Sequence, residues 1–202
     1  MPSTACIIIL CKNPILGKAK TRLAKSIGAD KALEIYHFLL EHTAQIVAEV
    51  ACDKRIFYSD TVLTNDAFKG NNYHKTLQAK GDLGNKMQAA FENAFAAGYS
   101  HSVIIGSDCY ELSSHILKEA LAALDKSETV FGPAKDGGYY LMGMRQLIPA
   151  VFENQPWSQN NLLSSTLQTL NQLGHSHQLL PTLSDVDYLE DLPINVRKQF
   201  GI

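Results

Sequence analysis

Short runs of branched apolar residues alternate along this chain with longer stretches of helical periodicity, and no other feature limits the possible folds as strongly. The runs at 5–10, 55–58, 102–105 and 129–131 predict buried strands, with weaker strands at 72–78, 138–142 and 178–180. Helices are predicted over 30–50, after Gly84, after Ser113 or Ser114, over 160–173 and at the C-terminus. Right-handed crossovers join strands separated in this way, so we predict an α/β fold with three layers, α/β/α, around a mostly parallel sheet.

Length and charge limit the classes of protein to which the chain can belong. The 202 residues, 46% of them apolar, contain no repeat or linker, which predicts a single domain over 1–202. A net charge of −2 gives no general attraction to nucleic acid or to an acidic membrane. The first apolar run is far shorter than a spanning helix of roughly 20 residues and has no basic lead-in, so we expect a cytoplasmic protein. The four cysteines show no C-x-x-C spacing, so a disulfide or zinc framework is not expected.

Polar or glycine-containing segments follow four of the predicted strands. These segments are 12–22, 106–108, 136–138 and 185–187. Ligands of open α/β sheets bind beyond the carboxyl ends of the strands, so we predict that these segments build one site.

The first segment favours phosphate binding. Its basic residues are Lys12, Lys18, Lys20 and Arg22. Together with the close backbone approach that Gly17 permits, they suit phosphate oxygens, although a solvated basic loop is an equal alternative. The segment is not a P-loop, because Ala19 stands where Ser or Thr is needed.

The carboxylates of the other segments suggest a metal. Asp108 ends a buried strand and suits Mg²⁺ or Mn²⁺ held against a diphosphate, or alternatively begins the helix near Ser113. Asp185 and Asp187 either are solvated or supply a second carboxylate. Asp136 begins an Asp-Gly-Gly turn, which is either a plain turn or a place where a sugar or nucleotide lies against backbone.

An ordered set of motifs resembles a known family over about residues 5–192. The motifs are Lys12-x-Pro14-x-x-Gly17-x-x-Lys20-Thr21-Arg22-Leu23, Gly81-Asp82-Leu83-Gly84-x-x-Met87, Gly106-Ser107-Asp108-Cys109, Asp136-Gly137-Gly138-Tyr139-Tyr140, Trp157-Ser158 and Asp185-Val186-Asp187. The set resembles bacterial glycosyltransferase-A-type (GT-A) proteins labelled radical-SAM/selenium-domain-associated transferases. It is more distantly similar to phospholactate and molybdenum-cofactor guanylyltransferases. The sequence departs from the family at Tyr110-Glu111, where proline is usual, and at Lys86, where arginine is common.

The resemblance implies a Rossmann-like GT-A fold of the nucleotide-diphospho-sugar transferase superfamily, and a role for each motif. The nucleotide-binding and phosphate-binding residues would be Lys12, Gly17, Lys20, Thr21, Arg22, Gly81, Asp82 and Gly84. The substrate-binding residues would be Gly137, Gly138, Tyr139 and Trp157, although a lone tryptophan is more often part of the core. The metal ligands would be Asp108 with Asp187 or Asp185, and the catalytic residues Asp136 and Asp108.

Three functions fit these residues. The first is metal-dependent glycosyl transfer from a nucleotide-diphosphate sugar to a small acceptor. The second is nucleotidyl transfer from a nucleoside triphosphate to a phosphorylated small molecule, which the number of cations in the first loop favours. The third is a non-catalytic nucleotide-binding module. In each case the expected partners are small molecules and not nucleic acid, and the oligomeric state stays open.

Overall fold

The computed structural model describes residues 4–202 and contains seven strands and six α-helices in that range. The strands are β1 (Ala5–Cys11), β2 (Asp53–Tyr58), β3 (Tyr73–Leu77), β4 (His101–Ile105), β5 (Thr129–Pro133), β6 (Tyr139–Met144) and β7 (His177–Leu179). The helices are α1 (Thr21–Ile27), α2 (Ala29–Ala48), α3 (Leu83–Ala96), α4 (Ser114–Ala123), α5 (Leu162–Leu173) and α6 (Ile194–Gln199). Every predicted strand is present within two residues of its expected start.

All seven strands form one sheet in the order β3-β2-β1-β4-β6-β5-β7. Neighbouring strands are parallel except at β6, which runs antiparallel to both β4 and β5. The prediction of an α/β fold with a mostly parallel sheet is therefore confirmed. Because β5 and β7 run in the same direction as β4, the segments that follow β1, β4, β5 and β7 all emerge at one edge of the sheet.

Two hydrophobic cores cover the two faces of the sheet, and β1 contributes to both. Ile7 and Ile9 face the core beneath α2 and α4, whereas Cys6 and Ile8 face the core beneath α3 and α5. All four side chains are fully buried, as the continuous apolar run predicts for a central parallel strand. The four cysteines of the chain are buried and free.

A third, smaller core joins the start of the chain to its end. Leu23 of α1 packs there with Ile35 and Leu39 of α2 and with Val186 and Val196 from the C-terminal segment. The basic segment 12–22 is not loop throughout, because α1 begins at Thr21. Burial of Leu23 stabilises this short helix, which a seven-residue segment could not achieve alone.

Side-chain caps fix the starts of two helices beside the predicted site. Ser113, and not Ser114, caps α4 by accepting a hydrogen bond from the backbone N–H of Ile116. Asp82 caps α3 in a capping box with Asn85, whose backbone N–H lies 2.9 Å from the Asp82 carboxylate. Asp108 caps neither helix, which removes its alternative role as a helix-start residue. Within residues 4–202, no helix combines the length and the apolar character needed to cross a bilayer.

Candidate functional site

A cleft of about 690 Å³ opens at the carboxyl edge of the sheet, where the four predicted segments meet. The predicted site residues that line it are Lys12, Lys20, Thr21, Arg22, Asp82, Asp108, Asp136, Tyr139, Asp185 and Asp187. The predicted residues outside its lining are Gly17, Gly81, Gly84, Gly137, Gly138 and Trp157. The charged residues of the prediction therefore line the cleft, whereas the predicted glycines and the tryptophan do not.

Two cations and two carboxylates form a connected network on one wall of the cleft. Lys20 Nζ lies 2.7 Å from Asp108 Oδ2 and 3.4 Å from Asp187 Oδ1, and Arg22 Nη1 lies 2.7 Å from Asp187 Oδ2. The Lys20 side chain is only 5% exposed, whereas the Arg22 side chain is 56% exposed. Lys20 is thus the interior cation of the network and Arg22 is the one that faces solvent.

Burial and charge act against each other on the titratable groups of this network. Burial lowers the pKa of Lys20, but the charge and hydrogen bond of Asp108 outweigh it, so the pKa lies above its ordinary value. Burial and the charge of Asp108 together raise the pKa of the neighbouring Asp185 to about 7, although Lys20 opposes them. The ionised form of Asp185 is therefore disfavoured beside Asp108.

The backbone around Asp108 fixes where its carboxylate points. The residue follows β4, and its carbonyl oxygen accepts a hydrogen bond of 2.9 Å from the N–H of Val186. A Cβ atom at Gly106 would lie 2.8 Å from Asp108 Oδ1, so only glycine leaves room for this carboxylate orientation. One oxygen of Asp108 therefore lies against Gly106, while the other contacts Lys20.

The C-terminal segment positions Asp187 by a second set of backbone contacts. Val186 is buried in the third core, and the Asp191 carboxylate accepts hydrogen bonds from the N–H groups of Asp187 and Tyr188 at 2.9 and 2.7 Å. Arg22 also lies over the Tyr188 ring, 5.9 Å from its centroid. The packing that holds α1 therefore also brings Asp187 to Lys20 and Arg22.

Two residues that support the cleft were not among the predicted site residues. The Tyr36 hydroxyl donates to the Lys12 carbonyl at 2.9 Å, accepts from the Lys12 N–H at 3.0 Å and lies 3.1 Å from Ser107 Oγ. Gln78 Nε2 donates to the carbonyl oxygens of Cys11 and Phe57, both at 3.1 Å. Tyr36 lies in the helix predicted over 30–50, and nothing in the sequence marks it as a site residue. Gln78 is the last residue of the strand predicted at 72–78, so the strand-end rule could have found it.

The Asp-Gly-Gly turn is needed to pack the backbone around the cleft. Asp136 Oδ1 accepts from the N–H of Gly138 at 2.9 Å, and a Cβ atom at Gly137 would lie 1.9 Å from the carbonyl oxygen of Asn160. Gly137 also has φ +90°, which disfavours any side chain. Gly137 thus lets the backbone of Asn160 pack against the turn, and Asp136 is the residue of the turn that lines the cleft.

The two glycines of the second motif are also needed for close packing. A Cβ atom at Gly84 would lie 2.6 Å from the Trp157 ring, and one at Gly81 would lie 2.5 Å from Asn85 Oδ1. Trp157 is half-buried against the core beneath α3. The structure therefore supports the alternative in which this lone tryptophan is a packing residue.

The two departures from the family motifs have different locations. Glu111 points away from the cleft, accepts from the N–H of Ser184 at 2.8 Å and lies 3.9 Å from Lys135. Lys86 lines the cleft and adds a cation to it. Glu111 therefore adds no carboxylate to the network around Asp108.

The oxygen atoms of the network suit a hard divalent cation. Asp108 and Asp187 each direct an oxygen toward the same point, which Lys20 Nζ occupies, and carboxylate oxygens are the ligands that Mg²⁺ prefers. Among residues 4–202, no cluster of three or more His, Cys, Asp or Glu side chains is arranged to hold a metal ion. A cation bound here would complete its coordination with ligands such as water or phosphate oxygens.

Comparison with known proteins identifies the fold and the family. The fold is that of the nucleotide-diphospho-sugar transferases: a protein from Desulfovibrio desulfuricans G20 described as a "putative nucleotide-diphospho-sugar transferase" is 32% identical, with a TM-score of 0.89 over 98% of this chain and 88% of that chain. The chain belongs to the bacterial family described as "Uncharacterized protein conserved in bacteria (DUF2064)", which matches residues 42–159. No curated protein matches the chain in sequence.

More distant structures share the fold alone. The inositol-1-phosphate CTP transferase from T. maritima is 14% identical, with a TM-score of 0.60 over 97% of this chain and 94% of that chain. The 4-diphosphocytidyl-2C-methyl-D-erythritol synthase from Anaerococcus prevotii DSM 20548 is 11% identical, with a TM-score of 0.59 over 93% of this chain and 94% of that chain. None of these matches tests the association with radical-SAM or selenium domains, which stays a prediction.

Proposed function

We propose that the protein is a metal-dependent transferase that moves a glycosyl group from a nucleotide-diphosphate sugar to a small acceptor. The observation that carries this proposal is the convergence of Lys20 and Arg22 with Asp108 and Asp187 in one cleft. Cations and carboxylates in contact suit a ligand that brings both phosphate oxygens and a divalent cation. The name of the 32% identical relative from Desulfovibrio desulfuricans supports the same class of donor.

The cations and the carboxylates take different parts in this proposal. Lys12, Lys20 and Arg22 bind the diphosphate oxygens, while Asp108 and Asp187 are the protein ligands of Mg²⁺ or Mn²⁺. A bound divalent cation would stabilise the negative charge that develops on the departing diphosphate. Arg22 offers a planar donor fork to phosphate, whereas the Lys20 ammonium acts as a point charge.

Asp136 is the proposed base for the acceptor. One of its carboxylate oxygens already accepts from the N–H of Gly138, which fixes the side chain and leaves the other oxygen to face the cleft. In the transfer the acceptor oxygen forms a bond to the sugar carbon, the bond from that carbon to the diphosphate breaks, and the acceptor proton passes to Asp136. The nucleoside diphosphate leaves with the bonding electrons.

Nucleotidyl transfer is the second candidate, and the number of cations favours it. Four basic side chains line the cleft: Lys12, Lys20, Arg22 and Lys86. Together they supply more positive charge than a diphosphate leaving group requires. In this reaction a phosphate oxygen of the acceptor attacks the α-phosphorus of a triphosphate, and pyrophosphate leaves. The cytidylyltransferases named above share the fold, which accommodates either reaction.

Ligand-induced thermal stabilisation tests the proposal first. Nucleotide-diphosphate sugars should raise the unfolding temperature in the presence of Mn²⁺ and much less in EDTA, because a ligand that binds only the native state stabilises it by mass action. Asp108→Asn should remove the dependence on Mn²⁺ without unfolding the protein, since Asp108 lies at a strand end. The absence of any Mn²⁺-dependent shift with diphosphate sugars or triphosphates would contradict both reactions and leave a non-catalytic binding module.

The leaving group separates the two reactions. Glycosyl transfer releases a nucleoside diphosphate, and nucleotidyl transfer releases pyrophosphate. Incubation with donor panels and small phosphorylated or hydroxylated acceptors, followed by mass spectrometry, identifies which product forms. Release of pyrophosphate from a triphosphate, with no nucleoside diphosphate from any sugar donor, would replace the first candidate with the second.

A further inference from the structure

Lys20 has a backbone conformation that a lysine rarely adopts. Its φ of 49° and ψ of 46° lie in the left-handed region, which costs a non-glycine residue about 1–2 kcal/mol. The flanking Ala19 and Leu23 are both buried, so the position is fixed by packing on either side. Such strain persists where the surrounding structure imposes it, and it directs attention to what the side chain does.

The side chain occupies the point at which the carboxylates of the cleft converge. Lys20 Nζ contacts Asp108 at 2.7 Å and Asp187 at 3.4 Å, and the side chain is almost fully buried. The other oxygen of Asp108 lies against Gly106, where even a Cβ atom would approach within 2.8 Å. Lys20 therefore lies between the Asp108 and Asp187 carboxylates and is paired with one oxygen of each.

An ammonium and a divalent cation cannot both occupy the point between these two oxygens. Mg²⁺ requires about 2.0–2.1 Å to its oxygen ligands, and two cations on one oxygen would repel each other strongly in a partly buried site. A metal that bridges Asp108 and Asp187 at this point must therefore displace the Lys20 ammonium. A displaced Lys20 needs another anion, and phosphate oxygens are the anions that the proposed substrate brings.

We propose that the Lys20 ammonium occupies the metal position between Asp108 and Asp187 in the free protein. It leaves this position when the phosphate of a bound substrate becomes its partner, and only then can a metal bind both carboxylates. This inference rests on the proposed function and extends it, because it assigns an order of binding. The divalent cation enters with the nucleotide or after it, and the free protein binds the metal weakly. Lys20 then changes partners, from carboxylate in the free protein to phosphate in the complex.

Metal binding to the free protein tests this inference without any assay of activity. Mn²⁺ is titrated into the nucleotide-free protein, with unbound Mn²⁺ followed by electron paramagnetic resonance. Lys20→Met should bind Mn²⁺ roughly tenfold to a hundredfold more tightly than the wild type, the equivalent of one hydrogen bond between charged groups. Lys20→Gln, which keeps a polar end, is a second variant in case the first does not fold.

Lys12→Met is the matched control for net charge. Lys12 lines the same cleft and has no carboxylate partner among residues 4–202, so its removal changes the charge without freeing Asp108. Its Mn²⁺ affinity should stay within about threefold of the wild type, which is less than 1 kcal/mol. An equal gain in the Lys12 and Lys20 variants would overturn the inference, because net charge alone would then explain the result.

The remaining outcomes separate this inference from the proposed function. Unchanged or weaker Mn²⁺ binding in Lys20→Met overturns the inference that Lys20 excludes the metal. The transferase proposal is then tested only by the ligand-binding and product experiments described for it. Adding Asp108→Asn to Lys20→Met should remove the tight binding, and persistence of that binding would also overturn the inference. If Asp108→Asn leaves the Mn²⁺-dependent stabilisation by nucleotide intact, the metal assignment in the proposed function fails instead.

Discussion

Replacement of Asp185 by asparagine should change how the stability of the protein depends on pH. Burial and the charge of Asp108 raise the Asp185 pKa from an ordinary value near 3.8 to about 7. The folded protein therefore disfavours the ionised carboxyl, and the free energy of unfolding falls as pH rises from about 4 through 7. The difference between the two pKa values corresponds to about 4 kcal/mol above pH 7, because each pH unit is worth about 1.4 kcal/mol.

Urea denaturation at pH 5 and at pH 8, with EDTA present, measures this effect. Asp185→Asn removes the charge, so it should be more stable than the wild type at pH 8, with a much smaller difference between them at pH 5. Asp60→Asn is the matched control, because Asp60 is exposed outside the cleft. Parallel stability curves for the wild type and Asp185→Asn across this range would contradict a raised Asp185 pKa, since other titrating groups cancel in the comparison.

Three further substitutions test the supports of the cleft. Tyr36→Phe removes a hydroxyl that joins two strand ends, so urea unfolding should show a loss of about 1–3 kcal/mol, and an unchanged free energy would contradict its positioning role. Gly137→Ala should lower the free energy of unfolding by well over 2 kcal/mol, because the new Cβ would clash with the backbone of Asn160. Gly174→Ala is the control: it has φ +75° but open space around the Cβ, so its free energy of unfolding should fall by only about 1 kcal/mol. Gly106→Ala should leave the unfolding temperature within a few degrees of the wild type but turn the Asp108 side chain, and normal Mn²⁺-dependent nucleotide binding by that variant would argue against the assigned carboxylate geometry.

The strands and their common edge could be predicted because their signals are local. Branched residues in runs such as Ile7-Ile8-Ile9 form strands in most contexts, and parallel strands bring their carboxyl ends together. That rule alone predicts that Lys20, Asp108 and Asp187 share a site, although they are up to 167 positions apart in the sequence. The antiparallel placement of β6 was not predicted, because it depends on a short turn at Gly137 and Gly138 and not on the composition of the strand.

The details of the site depend on contacts that the sequence does not reveal. The left-handed conformation of Lys20 has no residue signature, since glycine and asparagine are the usual occupants of that region. It follows from burial of Leu23 against Val186 and Val196, which come from the far end of the chain. Tyr36 lies in the helix predicted over 30–50, and only the structure shows its hydroxyl at the end of β1.

The glycines illustrate the opposite case, in which a motif was noticed but its reason could not be predicted. Gly84 and Gly137 fit a phosphate-binding or sugar-binding interpretation as well as a packing one. The structure shows side-chain or backbone atoms of Trp157 and Asn160 where a Cβ would stand, which makes both glycines necessary for packing. A motif that tolerates only glycine thus indicates close approach, and the identity of the approaching atoms needs coordinates.

Anomalous diffraction from crystals grown with Mn²⁺ and a nucleoside diphosphate shows whether Asp108 and Asp187 bind the metal. We expect one Mn²⁺ peak in the cleft within about 2.5 Å of oxygens of both Asp108 and Asp187, with the diphosphate against Arg22 and the Lys20 ammonium moved from Asp108 to a phosphate oxygen. A nucleotide bound outside this cleft, or Mn²⁺ bound with no contact to Asp108, would contradict it.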